Sequence, residues 1–232
     1  METLQKAREK ILTEITSDDP DVRSEYLARF KGQASTFSEA MANAMITWYE
    51  LDAGSDQNEN HAYVSALAYS AILLHVQSMK LFLSGQPVPA GNLSRQVVEA
   101  IALALLCSGS GSGKELNVLE CFIKDEYSSS NAVRDVCRHY EKLKLNKDGV
   151  KALEDAQRFY HKYSHPTKMT IASVMSFSME GKGLYVGAAF DKGKVASYDK
   201  EIESRVDLAK VFPNFVEAVK ANVATWQKKS PP

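Results

Sequence analysis

The chain has 232 residues, of which 44% are hydrophobic and 25% charged, and its 28 Lys and Arg against 29 Asp and Glu leave a formal net charge of -1. This composition is typical of a soluble globular protein, and it excludes a disordered chain, a collagen-like chain and a disulfide-dense secreted module. The nearly balanced charge argues against a protein that wraps DNA or lies on an anionic membrane, so we expect neither partner.

The first elements in chain order predict a cytoplasmic protein. Residues 1–19 lack the apolar block and cleavage site of a signal peptide, and their pattern predicts an amphipathic helix. The most apolar stretch, residues 62–83, is interrupted by polar side chains, which favours a buried core helix over a membrane span. Cys107, Cys121 and Cys137 are odd in number and have no CxxC spacing, so we expect free thiols in a reducing compartment.

Apolar residues recur at spacings of three and four along most of the chain, which predicts helices. The helices predicted after the N-terminal one span residues 21–51, 61–83, 95–107, 115–127, 131–143, 148–164 and 200–228. Residues 84–91 contain two prolines and two glycines and predict a connector, after which Asn92 or Ser94 would cap the next helix. Pro213 should kink the last helix or split it in two.

Two segments interrupt this helical pattern. Residues 108–113 read SGSGSG and predict a flexible loop. The segment does not match a P-loop in detail, because Ser108 and Glu115 stand where that motif needs Gly and Ser or Thr. Residues 169–190 are rich in Thr, Ser, Val, Phe and Tyr around the GKG at 181–183, which predicts a β-hairpin.

The predicted fold class is therefore mainly α, an up-and-down helical bundle with a small β-hairpin near the C-terminal third. The chain has no internal repeat and no long linker, so we expect one domain over residues 1–232. Within it, residues 1–60 would form N-terminal helices, residues 61–166 a core bundle with the functional site, and residues 167–232 the hairpin and a C-terminal helix.

The segment 151–168, KALEDAQRFYHKYSHPTK, contains the most informative pattern. At 100° per residue, Tyr160 and Tyr163 lie on its apolar face, and the periodicity predicts that both are buried. Arg158 and His165 are seven residues apart, so on a continuous helix they lie within about 20° of each other. A guanidinium can neutralise phosphoryl oxygens and an imidazole can transfer a proton near neutral pH, which favours a phosphodiester ligand. An ordinary solvated helix face would show the same residues.

A metal site is the weaker interpretation of the same segment. His161 and His165 are spaced i, i+4 and could hold a metal ion together with Glu154 or Asp155. That spacing without a fixed third ligand is a weak signal, so we expect no metal and no cofactor.

Two segments resemble the helical HEPN superfamily (higher eukaryotes and prokaryotes nucleotide-binding), in particular bacterial branches in which an Arg-x-x-x-Glu helix precedes a Tyr-rich, Ser-His-Pro segment. Arg95 and Glu99 in RQVVEA carry the first part, and 158–166, RFYHKYSHP, carries the second. The similarity covers roughly residues 62–176. The superfamily motif is Arg, four to six residues, then His, and here six residues intervene. Phe159 departs from the polar residue usual after the Arg.

The resemblance implies a homodimeric, metal-independent ribonuclease of a toxin–antitoxin or phage-defence system, with RNA or a nucleotide as its ligand. His165 would then activate or protonate an RNA hydroxyl, and Arg158 would stabilise the phosphate. His161 and Lys162 would be auxiliary phosphate contacts, and Glu99 on the Arg95 helix would orient Arg158 or a histidine.

Two alternatives stay open for these residues. Arg95 and Glu99 could form an intrahelical ion pair, and the whole bundle could be a non-catalytic, dimerising or partner-binding scaffold.

Charge placement favours an anion site in the later helices, because residues 138–168 hold eight Lys and Arg against four Asp and Glu, whereas residues 1–60 hold six against twelve.

Overall fold

The computed structural model describes residues 4–112, 116–178, 183–185 and 187–226. Over these residues the fold is a bundle of α-helices. They are α1 (Leu4–Thr16), α2 (Pro20–Asp52), α3 (Glu59–Leu83), α4 (Pro87–Ser108), α5 (Val118–Ile123), α6 (Ala132–His139), α7 (Lys147–His161), α8 (Lys168–Val174) and α9 (Val195–Val223).

The long helices α2, α3, α4 and α9 form the body of the bundle. Helices α3 and α4 share the largest interface and are joined by only three residues, so they run antiparallel. Helix α9 packs along α2 and also contacts α3, α4 and α7. Their apolar side chains merge into one buried cluster, and the predicted helical core is confirmed.

Helix α4 begins at Pro87, eight residues earlier than predicted. The prolines fit in its first turn because the N–H groups there have no intrahelical partner, so the ring removes no hydrogen bond. The predicted connector is therefore confined to residues 84–86. Ser94 is not a cap but a buried residue inside the helix, where its hydroxyl donates to the Ala90 carbonyl at 3.1 Å.

The predicted β-hairpin over residues 169–190 is wrong. Residues 168–174 form helix α8, which begins with a capping box in which Thr167 and Thr170 each accept the other's backbone N–H. The described part of the segment contains one isolated antiparallel bridge, between Met175 and Leu184, and no strand. The strand propensity of these side chains is thus overridden by a local helix cap. Residues 179–182 and 186 lie outside the described residues.

Several further boundaries differ from the sequence prediction. Helix α7 ends at His161, where the Ser164 and Thr167 hydroxyls donate to the last carbonyls. Helices α5 and α6 are shorter than predicted, and the predicted flexible loop is a 3-10 turn at Gly109–Ser112, with residue 113 outside the described residues. Helix α9 continues through Pro213, so the predicted split does not occur.

Helix α1 buries none of its residues along its 13-residue length. It is the amphipathic helix predicted for the N-terminus, but its apolar side chains face solvent: Leu4 is 88% exposed and Ile15 is 74% exposed. Helices α3 and α4 are long and apolar enough to cross a membrane by length and composition, and 44% and 67% of their most apolar windows are buried inside the protein.

Candidate functional site

Three of the predicted site residues lie together on the protein surface. Arg158 is 78% exposed, and its Nη1 atom lies 3.4 Å from an Asp155 carboxylate oxygen. His161, one helical turn later, is exposed as well, and its ring centroid lies 5.3 Å from that of the exposed His165. We call these three residues the Arg–His strip. Arg158 and His161 are three residues apart on α7 and therefore neighbours on its surface, and His161 in turn contacts His165.

The reason for this juxtaposition is not the predicted one. Helix α7 ends at His161, so the argument that Arg158 and His165 share a helix face two turns apart does not apply. Instead the chain tightens into a turn, in which the N–H groups of Tyr163 and Ser164 donate to carbonyls three residues back. This turn brings His165 back to His161, which the sequence interpretation had treated as auxiliary.

Lys162 is directed to packing contacts. Its Nζ atom lies 3.6 Å from the centroid of the Phe159 ring and 5.5 Å from that of Tyr163, which is a cation–π arrangement. Burial lowers the pKa of Lys162, and the Glu201 carboxylate acts in the opposite direction. The HEPN-like resemblance predicts a polar residue directly after Arg158. Here that residue is Phe159, and Lys162 packs against its ring.

Arg95 and Glu99 form the intrahelical pair that the sequence left as an alternative. Arg95 Nε donates to Glu99 Oε1 at 2.9 Å, and both side chains are partly buried on α4.

One turn earlier, Gly91 allows the Tyr163 ring to lie against the α4 backbone: a Cβ atom at Gly91 would lie 2.4 Å from the Tyr163 Cγ atom. The predicted burial of Tyr160 and Tyr163 is confirmed.

The most unusual polar group in the structure was missed by the sequence interpretation. Arg205 is fully buried, and its Nη1 atom donates to Glu201 Oε2 at 2.6 Å. Its Nε donates to the Ser78 hydroxyl at 3.2 Å, and its guanidinium lies 4.9 Å from the centroid of the Phe82 ring. A signal was available, because Glu201 and Arg205 continue the apolar stripe of α9 that includes Leu208.

A second buried group, His75 on α3, lies beside this ion pair. Its ring packs edge-on against Phe37 at a centroid distance of 4.8 Å and lies 5.4 Å from Phe212. Neither ring nitrogen has a hydrogen-bond partner among the described residues. Burial, assisted by the positive charge of Arg205, lowers the pKa of His75 to about 3, so this imidazole is neutral and belongs to the core.

The alternative of a metal centre finds no third ligand in the described part of the chain. No group of three or more His, Cys, Asp or Glu side chains there is arranged to hold a metal ion. The three cysteines are free, and burial raises the pKa of the Cys107 thiol to about 12, which makes it unreactive.

Comparison with known proteins adds no family assignment. No protein-family model, curated protein or solved structure matches the chain. The HEPN-like resemblance stays a prediction.

Proposed function

We propose that this protein is a cytoplasmic, HEPN-type RNA- or nucleotide-binding protein that holds a phosphodiester at the Arg–His strip and cleaves RNA there without a metal ion. The observation that supports the proposal is the contact between the exposed His161 and His165 rings, one helical turn after the exposed Arg158. Imidazoles and a guanidinium are the side chains best suited to proton transfer and charge neutralisation at phosphate near neutral pH.

Two adjacent imidazoles can supply both proton transfers of RNA transesterification. The neutral imidazole takes the proton of the 2′-hydroxyl while the 2′-oxygen attacks phosphorus, and the imidazolium protonates the 5′-oxygen as its bond to phosphorus breaks. The products are a 2′,3′-cyclic phosphate and a 5′-hydroxyl. Arg158 would neutralise the nonbridging oxygens, which carry more charge in the transition state.

RNA binding and cleavage are measured with a labelled single-stranded RNA of mixed sequence in EDTA. We expect saturable binding that weakens about three- to tenfold in Arg158→Ala, and loss of cleavage in His161→Ala and in His165→Ala. Arg134→Ala is the matched control, because Arg134 is also an exposed arginine next to an aspartate. His139→Ala is the control for a histidine outside the strip.

The outcomes separate binding from catalysis. Binding that depends on Arg158, with equal background cleavage in all variants, would leave an RNA-binding protein without nuclease activity. If wild type and Arg158→Ala bind RNA equally, or no binding occurs at all, the Arg–His strip is ordinary solvated surface and the proposal is wrong.

A second candidate function, a dimerising scaffold, is favoured by helix α1. Leu4, Ile11 and Ile15 are exposed and follow spacings of seven and four, which is the seam of a helix pair. In a two-fold dimer the same seam of a second copy of this chain would cover it. Sedimentation of Ile11→Glu against Ile46→Glu, an exposed isoleucine on α2, tests this: only the first should yield monomer, and a wild-type monomer would exclude the dimer.

A further inference from the structure

A cavity of about 160 Å³ lies apart from the Arg–His strip, where the turn after α7, helix α8 and the first turns of α9 meet the start of α4. Its walls are mainly apolar and include Tyr163, Met169, Phe177 and Tyr198. Phe177 is 53% exposed while also contributing to the lining, so the cavity reaches the surface on that side.

The polar end of the cavity is Glu201, whose side chain is only 2% exposed. Its Oε2 atom accepts the hydrogen bond from Arg205, whereas Oε1 is buried and has no hydrogen-bond partner among the described residues. A carboxylate oxygen buried without a donor is unfavourable, since its desolvation is not compensated. Because Glu201 lines the cavity, this unsatisfied acceptor lies beside the space that a bound molecule would occupy.

This carboxylate is held in a fixed position. Arg205 is itself buried, and it is anchored by the Ser78 hydroxyl and by the Phe82 and Tyr160 rings on which its guanidinium lies. The charge of Glu201 is thus balanced within the protein. A ligand needs to supply a hydrogen-bond donor but no positive charge.

The opposite wall is also organised before a ligand binds. Asp191 is buried, and its carboxylate accepts from the backbone N–H groups of Phe177 at 2.7 Å and Gly193 at 2.8 Å. Burial alone would raise the pKa of Asp191, but these two N–H donors, the Ser178 hydroxyl and the charge of Lys194 together lower it. The Asp191 carboxylate therefore clamps Phe177 to the turn before α9, which fixes the aromatic side of the cavity.

Lys194 narrows the choice of ligand. Lys194 lines the cavity, and its Nζ atom donates to the Ser173 carbonyl at 2.7 Å and lies 5.6 Å from the centroid of the Phe177 ring. A cationic ligand would face this ammonium group, and an anionic ligand would face the free oxygen of Glu201. A neutral molecule avoids both repulsions.

We propose that this cavity binds a small neutral aromatic molecule carrying one O–H or N–H donor, with the ring between the aromatic walls and the donor on Glu201 Oε1. The size agrees, because an apolar protein cavity of about 150 Å³ is known to hold benzene. A single ring with one polar substituent fits; a nucleotide does not. The inference stands independently of RNA binding, because none of the Arg–His strip residues lines the cavity.

Phenol, benzene, benzoate and benzylamine are the probes, titrated by calorimetry and by ligand-observed NMR into the full chain. We expect phenol to bind with a dissociation constant on the order of 0.1 to 1 mM, and at least about tenfold more tightly than benzene, which fills the cavity without a donor. Benzoate and benzylamine should bind more weakly than phenol. Absence of saturable phenol binding, or tighter binding of either charged probe, would overturn the proposal.

Two variants locate the binding. Ala172→Leu places a larger side chain in the cavity from the half-buried surface of α8 and should abolish phenol binding, whereas Ala42→Leu, at an exposed site of α2, should not. Glu201→Gln should erase the preference for phenol over benzene, with the exposed Glu203→Gln as its control. Phenol binding that survives Ala172→Leu in a protein with unchanged circular dichroism would contradict the assignment.

Discussion

The Arg–His strip and the Glu201–Arg205 pair show what solvent does to charged groups of similar chemistry. Arg158 is 78% exposed and meets Asp155 only at 3.4 Å, whereas Arg205 is fully buried and meets Glu201 at 2.6 Å. In water the first pair contributes little to folding, because both charges are already well solvated. The second pair is tightly specified, since each charge would be costly to bury alone. The exposed charges can therefore exchange partners with solvent, whereas the buried pair is held in one arrangement.

Removal of the Arg205 side chain should have the largest effect on the free energy of unfolding. Arg205→Ala would leave the Glu201 carboxylate buried without its partner and should lower the free energy of unfolding by about 3 to 5 kcal/mol. Arg158→Ala should change it by less than about 0.5 kcal/mol. Urea denaturation measures both free energies of unfolding. Equal losses in Arg205→Ala and Arg158→Ala would contradict the difference between the buried and the exposed pair. Replacing both members of the buried pair, as Glu201→Leu with Arg205→Met, should recover part of the loss.

Two helical glycines extend the contrast from charge to packing. Gly91→Ala puts a Cβ atom within 2.4 Å of the Tyr163 ring and should lower the free energy of unfolding by about 1 to 3 kcal/mol. Gly32→Ala is the matched control, because nothing lies within 4 Å of its added Cβ, and it should raise the stability by about 0.4 to 1 kcal/mol. Thermal unfolding shows both signs; a neutral Gly91→Ala would mean that Tyr163 can move away.

The buried His75 should make the protein sensitive to mild acid. Its pKa is lowered to about 3 in the fold and is near 6.5 in the unfolded chain, so only the unfolded chain binds the proton between these values. Stability attributable to this group therefore falls as the pH decreases from 6.5 toward 3. Between pH 7 and pH 5 the loss is about 2 kcal/mol.

His75→Leu measures that contribution. Denaturant unfolding at pH 7 and pH 5 should show a smaller difference in the variant than in wild type, by about 2 kcal/mol. The comparison of slopes separates the titration from any packing change that the substitution introduces. Identical pH dependence in both proteins would show that folding does not change the pKa of His75, and the prediction would be wrong.

The smallest effect concerns the strip itself. His161→Ala and His165→Ala remove exposed side chains and should each change the free energy of unfolding by no more than about 0.5 kcal/mol. A larger loss, measured by urea denaturation, would show that the ring contact supports the turn after α7. The histidines would then be structural rather than available to a ligand.

The sequence predicted the long helices well because their evidence is repeated over many residues. Helices α2 and α3 begin and end within two residues of the predicted positions. Errors arose where one or two side chains decide the outcome. A Thr167 cap made a helix of the segment that composition assigned to a hairpin, and Pro87 started α4 early.

The residues of the candidate site were likewise predicted only in part. Patterning identified Arg158, His161 and His165 and predicted that Tyr160 and Tyr163 are buried, but it joined Arg158 to His165 through a helix that ends at His161. Glu201 and Arg205 were missed, although two charges on the apolar stripe of α9 were a visible sign. Propensity alone assigns such residues to the surface.

The periodicity of the sequence by itself determined that this is a helical protein and which faces of its long helices are buried. Its charge distribution determined where the basic residues concentrate. Both properties are sums over neighbours in the chain. Only the tertiary structure decided that His165 meets His161, that Arg205 lies in the core on Glu201, and that a cavity remains beside that carboxylate. These depend on contacts between residues far apart in sequence or across a turn, where a single hydrogen bond or ring changes the position of an entire segment.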